Sequence, residues 1–127
     1  GYAVIKDVLK TRVYDVCRYV NRARGREIVP EGVITKPPSA ELRPDQKDQD
    51  SLPPYEVLDA ILQRYMEEDQ GLDEIVAAGF SMADVERVTR LIKLNEYKRR
   101  QSPVGIRITH RAFGRDWRYP ITSKFLA

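Results

Sequence analysis

The side chains most often used for catalysis and metal binding are scarce in this sequence. The 127 residues include one histidine, His110, and one cysteine, Cys17. A histidine-based metal site or a catalytic triad needs more partners of these types. His110 adjoins a basic segment and is expected at the surface. Cys17 falls among apolar residues, where a small buried hydrophobe is expected. No catalytic residue and no metal ligand is therefore assigned from side-chain type alone.

The polar side chains best suited to ligand contacts lie in one long loop, residues 35–54. It overlaps the segment KPPSAELRPDQKDQDSLPPY, which runs from Lys36 to Tyr55 and contains five prolines. Loops of about 20 residues inside compact domains are uncommon, and they are usually functional or disordered. Asp45 and Asp48 add acceptor groups, and large apolar anchors are few. The composition predicts a ligand-binding loop that is mobile without its ligand.

Charge is distributed unevenly along the chain. The net charge is +3, but residues 36–74 are rich in acids and residues 93–118 are rich in bases. This asymmetry suits a polyanionic ligand, either a nucleotide phosphate or a nucleic acid, and a solvated surface has the same composition. Glycine-rich phosphate loops such as GxGxxG, the P-loop and SGG-type sequences do not occur in the 127 residues.

The overall composition is that of an ordinary globular domain, with 42% hydrophobic and 32% charged residues. No apolar run reaches the roughly 20 residues of a membrane-spanning helix. The N-terminal segment lacks the pattern of a secretory signal, and a single cysteine suits a reducing compartment. We therefore expect a cytoplasmic protein that does not enter a membrane.

The elements that must position these groups are mostly helices. A helix is predicted from Thr11 onward, with one apolar stripe formed by Val13, Val16, Cys17 and Val20. Gly25 is expected to end this helix after a basic last turn. Asp7 is the expected N-terminal cap, and residues 3–5 are expected to form a strand remnant.

The second half of the chain carries further helical patterns. Pro53 and Pro54 precede a helix whose apolar face is predicted from Val57, Leu58, Ile61, Leu62, Tyr65 and Met66. A short helix follows Gly71, and Ser81 with Asp84 forms a capping-box pattern before a longer one. Residues 104–108 alternate as in a strand, and the aromatic tail has no helical period. The expected architecture is mainly α, with four helices and one long loop.

Residues 72–92 have the outline of a helix-turn-helix, which leaves a nucleic-acid-binding module as an alternative function. The second helix of this pair carries Asp84 and Glu86 near its start. Two acids at this position would repel a polyanion. A helical interaction domain without a ligand of its own is the third possibility.

Several segments resemble glutamine-dependent NAD⁺ synthetases, and they occur in the order found in that family. The loop KPPSAELRPDQKDQD is similar to the family pattern Lys-x-Pro-Ser/Thr-Ala-Asp/Glu-Leu followed by Gln-x-Asp. The segments YAVIKDVLKTRVYDV and NEYKRRQSP resemble two further motifs of the family. The tail GRDWRYPIT resembles members that carry an N-terminal glutaminase domain.

The resemblance implies a fold and a division of the chain. Residues 1–127 would be the helical C-terminal portion of an α/β adenine-nucleotide α-hydrolase-like synthetase domain. A ligand-binding loop would span residues 35–54, a helical part residues 55–100 and an irregular tail residues 101–127. The SGGxDS pyrophosphate loop, the Mg²⁺-binding acid and the parallel sheet of the family would lie upstream of Gly1, so this segment alone is expected to be inactive.

The resemblance also implies an activity. The family adenylates nicotinic acid adenine dinucleotide (deamido-NAD⁺) with ATP, releasing pyrophosphate. Ammonia then displaces AMP to give NAD⁺, and a separate glutaminase domain supplies this ammonia from glutamine. ATP and Mg²⁺ are the implied substrate and metal, with no tightly bound cofactor in this segment. A homo-oligomer is expected, and nucleic acid is not an expected partner.

Four positions correspond to ligand-binding residues of the family. The resemblance assigns Lys10 and Ser39 to ATP, and it assigns Tyr97 and Lys98 to deamido-NAD⁺. Further contacts within the loop are expected from Lys36, Asp45 and Asp48. Two departures bear on the substrate site. Tyr97 replaces a family histidine and is not expected to titrate near neutral pH, and the position near Ala3 and Val4 carries an acid in the shorter, ammonia-dependent enzymes.

Overall fold

The computed structural model describes residues 1–36, 52–114 and 116–122. The elements occur in the order β1 (Tyr2–Ala3), α1 (Lys10–Arg24), α2 (Glu31–Thr35), α3 (Tyr55–Leu62), α4 (Leu72–Ala77), α5 (Met82–Leu94), α6 (Glu96–Gln101) and β2 (Val104–Gly105). A π-helical segment, Gln63–Glu67, continues α3. The described part of the chain is mainly helical, as predicted, but it contains six α-helices instead of four.

The two additional helices are short. α2 has five residues and occupies part of the segment that precedes the long loop. α6 is separate because the longer helix that begins at Met82 is interrupted at Asn95. The Asn95 side chain donates to the Leu91 carbonyl at 2.8 Å. Such side-chain bonds to nearby carbonyls compete with the helical ladder, and a 3.6-residue period does not reveal them.

Helix α1 ends as predicted but begins differently. Gly25 adopts the left-handed conformation at φ +60° after a last turn that contains two arginines. The prediction that Asp7 caps the helix is wrong. The backbone N–H of Thr11 donates instead to Asp59 on α3, at 2.8 Å from Oδ2. A residue 48 positions away therefore satisfies an N-terminal donor of α1.

The predicted apolar stripe of α1 is not part of the core. None of the residues of α1, all of which lie in the described part of the chain, is buried. Val16 is 54% exposed, and Cys17 is half-buried, which corrects the expectation of a buried cysteine. Val13 and Val20 are half-buried as well, so the apolar face of this helix is covered only in part.

The core lies between α3, its π-helical continuation, α4 and α5. Its buried residues are Ile61, Met66, Ile75, Val85, Val88 and Ile92. Ile61 and Met66 belong to the apolar face predicted after Pro54, and the others come from the predicted helix pair. The capping pattern is confirmed as well, because Ser81 Oγ accepts a hydrogen bond from the Asp84 N–H at 3.1 Å.

The tail packs against this core. Phe113, Trp117 and Tyr119 contact it as partly buried side chains. Trp117 meets Tyr65 and Tyr119 edge-on, at ring-centroid distances of 5.4 and 4.6 Å. β2 pairs in parallel with β1, with Tyr2 opposite Val104 and Ala3 opposite Gly105. The two ends of the described chain are thereby joined.

Candidate functional site

Lys10 is the first residue of α1, at the N-terminal end of the helix. Its ammonium nitrogen lies 5.5 Å from the centre of the Tyr14 ring. The helix dipole adds partial positive charge at this terminus, where the Thr11 N–H is already bonded to the Asp59 carboxylate. This position suits contact with an anionic group such as a phosphate.

A cavity of about 220 Å³ opens beside Lys10. Residues 6–10, helix α3 and residues 109–113 provide its walls, and the apolar part of the lining includes Leu58, Leu62 and Phe113. The polar part of the lining is mixed in charge, and an apolar wall with a few polar groups is the composition of many small-molecule sites. Its charged residues are Lys6, Lys10, Arg111, Asp7, Asp59 and Glu67.

Two carboxylates in the wall of this cavity have shifted pKa values. Burial raises the pKa of Glu67, and the Asp7 carboxylate raises it further. Burial alone would also raise the pKa of Asp7, but hydrogen bonds from the backbone N–H groups of Phe113, Ile108 and Thr109 lower it below its usual range. Asp7 is therefore ionised at neutral pH.

Asp7 joins the N-terminal segment to the tail. Its Oδ2 accepts hydrogen bonds from Ile108 N, Thr109 N and Thr109 Oγ1, each at 2.8 Å. Its Oδ1 accepts one from Phe113 N at 2.7 Å. This carboxylate thus organises the wall of the cavity next to Lys10. Asp7 was expected to be a helix cap, and no local pattern reveals partners this distant.

Tyr97 and Lys98 lie on α6. Tyr97 is 45% exposed, and the Lys98 ammonium lies 5.9 Å from the centre of its ring. Their neighbours on either side, Glu96 and Arg99, are buried and form an ion pair at 2.9 Å. The buried pair places Tyr97 and Lys98 on the outer side of the helix.

The structure does not bring all the predicted site residues together. Lys10 lines the 220 Å³ cavity, whereas Tyr97 and Lys98 do not. Lys36 follows the last residue of α2. Ser39, Asp45 and Asp48 lie outside the described residues, and so does nearly all of the predicted loop.

Glu96 and Arg99 are the site-related residues that sequence reasoning missed. Arg99 donates to the carbonyls of Phe113 and Trp117 and stacks on both rings. The Glu-x-x-Arg spacing on a helix was visible in the sequence as an i,i+3 pair. Its burial was not visible, because such pairs are usually solvent-exposed.

The described residues contain neither a cluster of metal ligands nor a membrane-spanning helix. Within residues 1–36, 52–114 and 116–122, no group of three or more His, Cys, Asp or Glu side chains is arranged to hold a metal ion. None of the helices described there is long and apolar enough to cross a membrane.

Comparison with known proteins identifies the family. The NAD synthase family profile matches residues 1–102. The glutamine-dependent NAD⁺ synthetases of Thermotoga maritima and Acinetobacter baylyi are 56% and 58% identical over 125 and 123 residues. These matches cover 98% and 97% of this chain but only 22% and 23% of those proteins. The chain therefore spans less than a quarter of the length of these relatives.

A solved structure agrees with this similarity. It is the glutamine-dependent NAD⁺ synthetase of Acinetobacter baumannii in complex with adenosine diphosphate, with a TM-score of 0.54 and 48% identity. The match covers 91% of this chain and 19% of that one. Neither these relatives nor the described helix pair α4–α5 favours a nucleic-acid-binding function. Because the family profile covers most of the sequence and identity to curated members exceeds half, this chain belongs to the NAD synthase family.

Proposed function

We propose that the chain is part of a glutamine-dependent NAD⁺ synthetase, an amide-forming ligase. The observation that carries this proposal is the identity of 56–58% to two such enzymes over nearly the whole chain. The chain would be the helical C-terminal portion of an α/β adenine-nucleotide α-hydrolase-like domain. Its divisions would be a loop at 35–54, a helical part at 55–100 and a tail at 101–127.

The reaction has two steps. A carboxylate oxygen of deamido-NAD⁺ attacks the α-phosphorus of ATP, and the bond to pyrophosphate breaks. The nitrogen of ammonia then attacks the acyl carbon, AMP leaves with the bonding electrons, and the amide nitrogen loses a proton. A glutaminase domain elsewhere in the enzyme would supply the ammonia. Mg²⁺, when bound, would reduce the charge repulsion between the substrate carboxylate and the triphosphate.

Lys10 is proposed to contact the phosphates of ATP, with Ser39 donating a hydroxyl hydrogen bond. The location of Lys10 at the start of α1, beside a cavity, supports this role. Positive charge here would stabilise the charge that develops on the leaving pyrophosphate. Lys36, Asp45 and Asp48 are proposed loop contacts that help to exclude water from the reactive adenylate.

Tyr97 and Lys98 are proposed to bind deamido-NAD⁺. Their exposure on α6 and their shared orientation support contact with a ligand that lies outside the described core. Lys98 would pair with an anionic group of the dinucleotide. Tyr97 would stack or donate a hydrogen bond, and it would transfer no proton near neutral pH. A homo-oligomeric enzyme located in the cytoplasm completes the proposal.

A chimera tests the proposal directly. The segment of the Acinetobacter baylyi enzyme that matches this chain is replaced by residues 1–127, and NAD⁺ formation from glutamine, ATP and deamido-NAD⁺ is measured. We expect an active chimera. Lys10→Ala is expected to raise the KM for ATP, and Lys98→Ala the KM for deamido-NAD⁺, each lowering kcat/KM by about a hundredfold. Ser39→Ala is expected to lower the rate as well.

Arg22→Ala is the matched control, because it removes a cation from the opposite end of the same helix. It should retain the activity of the unsubstituted chimera. Full activity in both Lys10→Ala and Lys98→Ala would refute the site assignment while leaving the family membership intact. An inactive but folded chimera would contradict the proposed function itself.

A further inference from the structure

A second cavity lies on the side of the molecule where the two ends of the described chain meet. Its volume is about 290 Å³, and it shares Lys6 and Asp7 with the cavity beside Lys10. Residue 6, the end of α6, the β2 segment and the tail form its walls. The charged residues in the lining are Lys6, Arg100, Arg107, Arg118, Asp7 and Asp116. We call the cavity lined by these residues the basic cavity.

The acids of the basic cavity are already engaged. Both oxygens of Asp7 accept hydrogen bonds from residues 108–113. Asp116 accepts one from the Ala112 N–H at 3.0 Å and pairs with Arg107 at 3.3 Å. Four cations therefore share this cavity with two carboxylates, one of which, Asp116, pairs with the cavity cation Arg107.

A third carboxylate, that of Glu96, lies behind the wall and does not balance the positive charge of the arginines around it. Glu96 lies 2.9 Å from Arg99, 3.5 Å from Arg100 and 3.6 Å from Arg118. One buried acid thus faces three guanidinium groups. Burial lowers the pKa of Arg99, Glu96 raises it, and the positive charge of Arg118 lowers it again. Two of these cations, Arg100 and Arg118, also line the cavity.

Arg118 has donors to spare, whereas Arg107 also donates to the carbonyls of Thr109 and His110. Lys6 donates to the Pro103 carbonyl at 3.0 Å, which leaves two of its three N–H groups. The contacts of Arg100 Nε and Arg118 with Glu96 exceed the usual length of an N–H···O hydrogen bond. Glu96 Oε1 has no hydrogen-bond partner among the described residues. Each guanidinium carries several N–H groups in a planar fork, a geometry that matches the oxygens of a phosphate.

Glycine keeps the cavity open beside Lys6. A Cβ added at Gly114 would lie 3.4 Å from the Lys6 ammonium nitrogen and 3.5 Å from its Cε. A branched side chain at this position would therefore occupy the space that adjoins the ammonium group. The end of α6, the β2 segment and the tail thus surround a volume sufficient for a small oxyanion.

We propose that the basic cavity is an anion-binding site for a phosphate or polyphosphate group, held by Arg118, Arg107 and Lys6. The site is distinct in its residues from the proposed contacts of ATP and deamido-NAD⁺. It stands on the geometry of the tail and the N-terminal segment, and it does not depend on the ligase assignment.

Titration with pyrophosphate tests this site. The 127-residue chain carrying Lys10→Gln is used, so that the start of α1 does not contribute, and binding is measured by calorimetry at two salt concentrations. We expect saturable binding that weakens with salt. Arg118→Gln and Arg107→Gln should each weaken it at least about tenfold. Arg12→Gln, the same change on exposed α1, should alter it less than about twofold.

Two further measurements guard against a folding artefact. Gly114→Val keeps every charge and fills the space beside Lys6, so it should also abolish binding while Trp117 fluorescence stays unchanged. Backbone amide shifts on titration should concentrate at Gly105 and Gly114. Absence of saturable binding, equal weakening by Arg12→Gln, or shifts confined to residues 10–12 would overturn the proposal. Equal affinity for malonate would overturn the phosphate class.

Discussion

Single side chains hold distant parts of this chain together. Asp7 accepts four hydrogen bonds from residues more than a hundred positions away, and Asp59 accepts the bond from the start of α1. Both carboxylates are buried. A buried acceptor is costly to leave without partners, so each of these residues has consequences beyond its own location.

Asp7→Asn is expected to destabilise the protein at neutral pH by about 1–3 kcal/mol, because the charged acceptor is lost while its donors stay in place. The pKa of Asp7 is lowered in the folded state. Its contribution is therefore present above the unfolded value, near 3.8, and disappears as the pH falls through the lower folded value. Urea unfolding of the unsubstituted protein and of Asp7→Asn, at pH 7 and under strongly acidic conditions, measures the loss of stability and its dependence on pH. A difference between the two proteins that does not shrink in acid would contradict the assignment.

Gly105→Ala is expected to disrupt the pairing of β1 and β2. Its Cβ would lie 2.5 Å from the Ala3 carbonyl oxygen and 2.8 Å from the Lys6 Cβ. Such overlap forces the backbone apart, at a cost of about 1–3 kcal/mol. Gly32→Ala is the matched control, since nothing lies within 4 Å of its added Cβ. Thermal unfolding compares the two variants, and equal melting temperatures would argue against the close approach at Gly105.

At the scale of elements, α6 connects the helical core to the tail. Glu96 and Arg99 are both buried, and Arg100 adds a hydrogen bond to the Tyr119 carbonyl at 3.0 Å. Breaking a buried ion pair by removing one partner leaves the other charge uncompensated. The helix that carries Tyr97 and Lys98 therefore depends on the tail for its position.

Glu96→Gln is expected to cost about 3 kcal/mol, because Arg99 would keep its buried charge without its closest acid. Asp15→Asn removes the same charge from an exposed pair with Arg12 at 3.9 Å, and should cost less than about 1 kcal/mol. Guanidinium unfolding followed by Trp117 fluorescence reports on the tail. Similar losses in the two variants would show that the buried pair has no special importance.

At the scale of the whole molecule, the most conspicuous feature is the exposed part of the surface of α1. Val16 and Tyr19 are more than half exposed, and Val33 on α2 lies open as well. Apolar side chains on a helix normally cover another element. The chain spans less than a quarter of its relatives, so a surface that other parts cover in those proteins is a natural explanation.

The isolated chain is expected to self-associate through this face. Sedimentation velocity should show a species larger than the 14.7 kDa monomer, and replacing Val16 and Tyr19 by glutamate should shift it toward the monomer. The control is Arg18→Glu, which introduces the same charged side chain between these positions without removing an apolar one. A monomeric unsubstituted chain at high concentration would contradict the expectation.

Local patterns in the sequence were sufficient for much of the fold. The stop of α1 at Gly25, the cap at Ser81 and the apolar face after Pro54 are confirmed. Each depends on residues within a few positions of one another, so the periodicity of a helix makes it visible. The family motifs were also recognisable in the sequence, and the comparisons confirm the family that they indicated.

Only the tertiary structure decided which polar groups meet. The partners of Asp7 lie between 101 and 106 positions away, and the tail carbonyls that hold Arg99 lie 14 and 18 positions away. No short-range pattern encodes such pairs, because burial depends on how the elements pack. The sequence alone determined the family and most helices. Packing decided the burial of Glu96 and Arg99, the exposure of α1 and the assembly of the basic cavity.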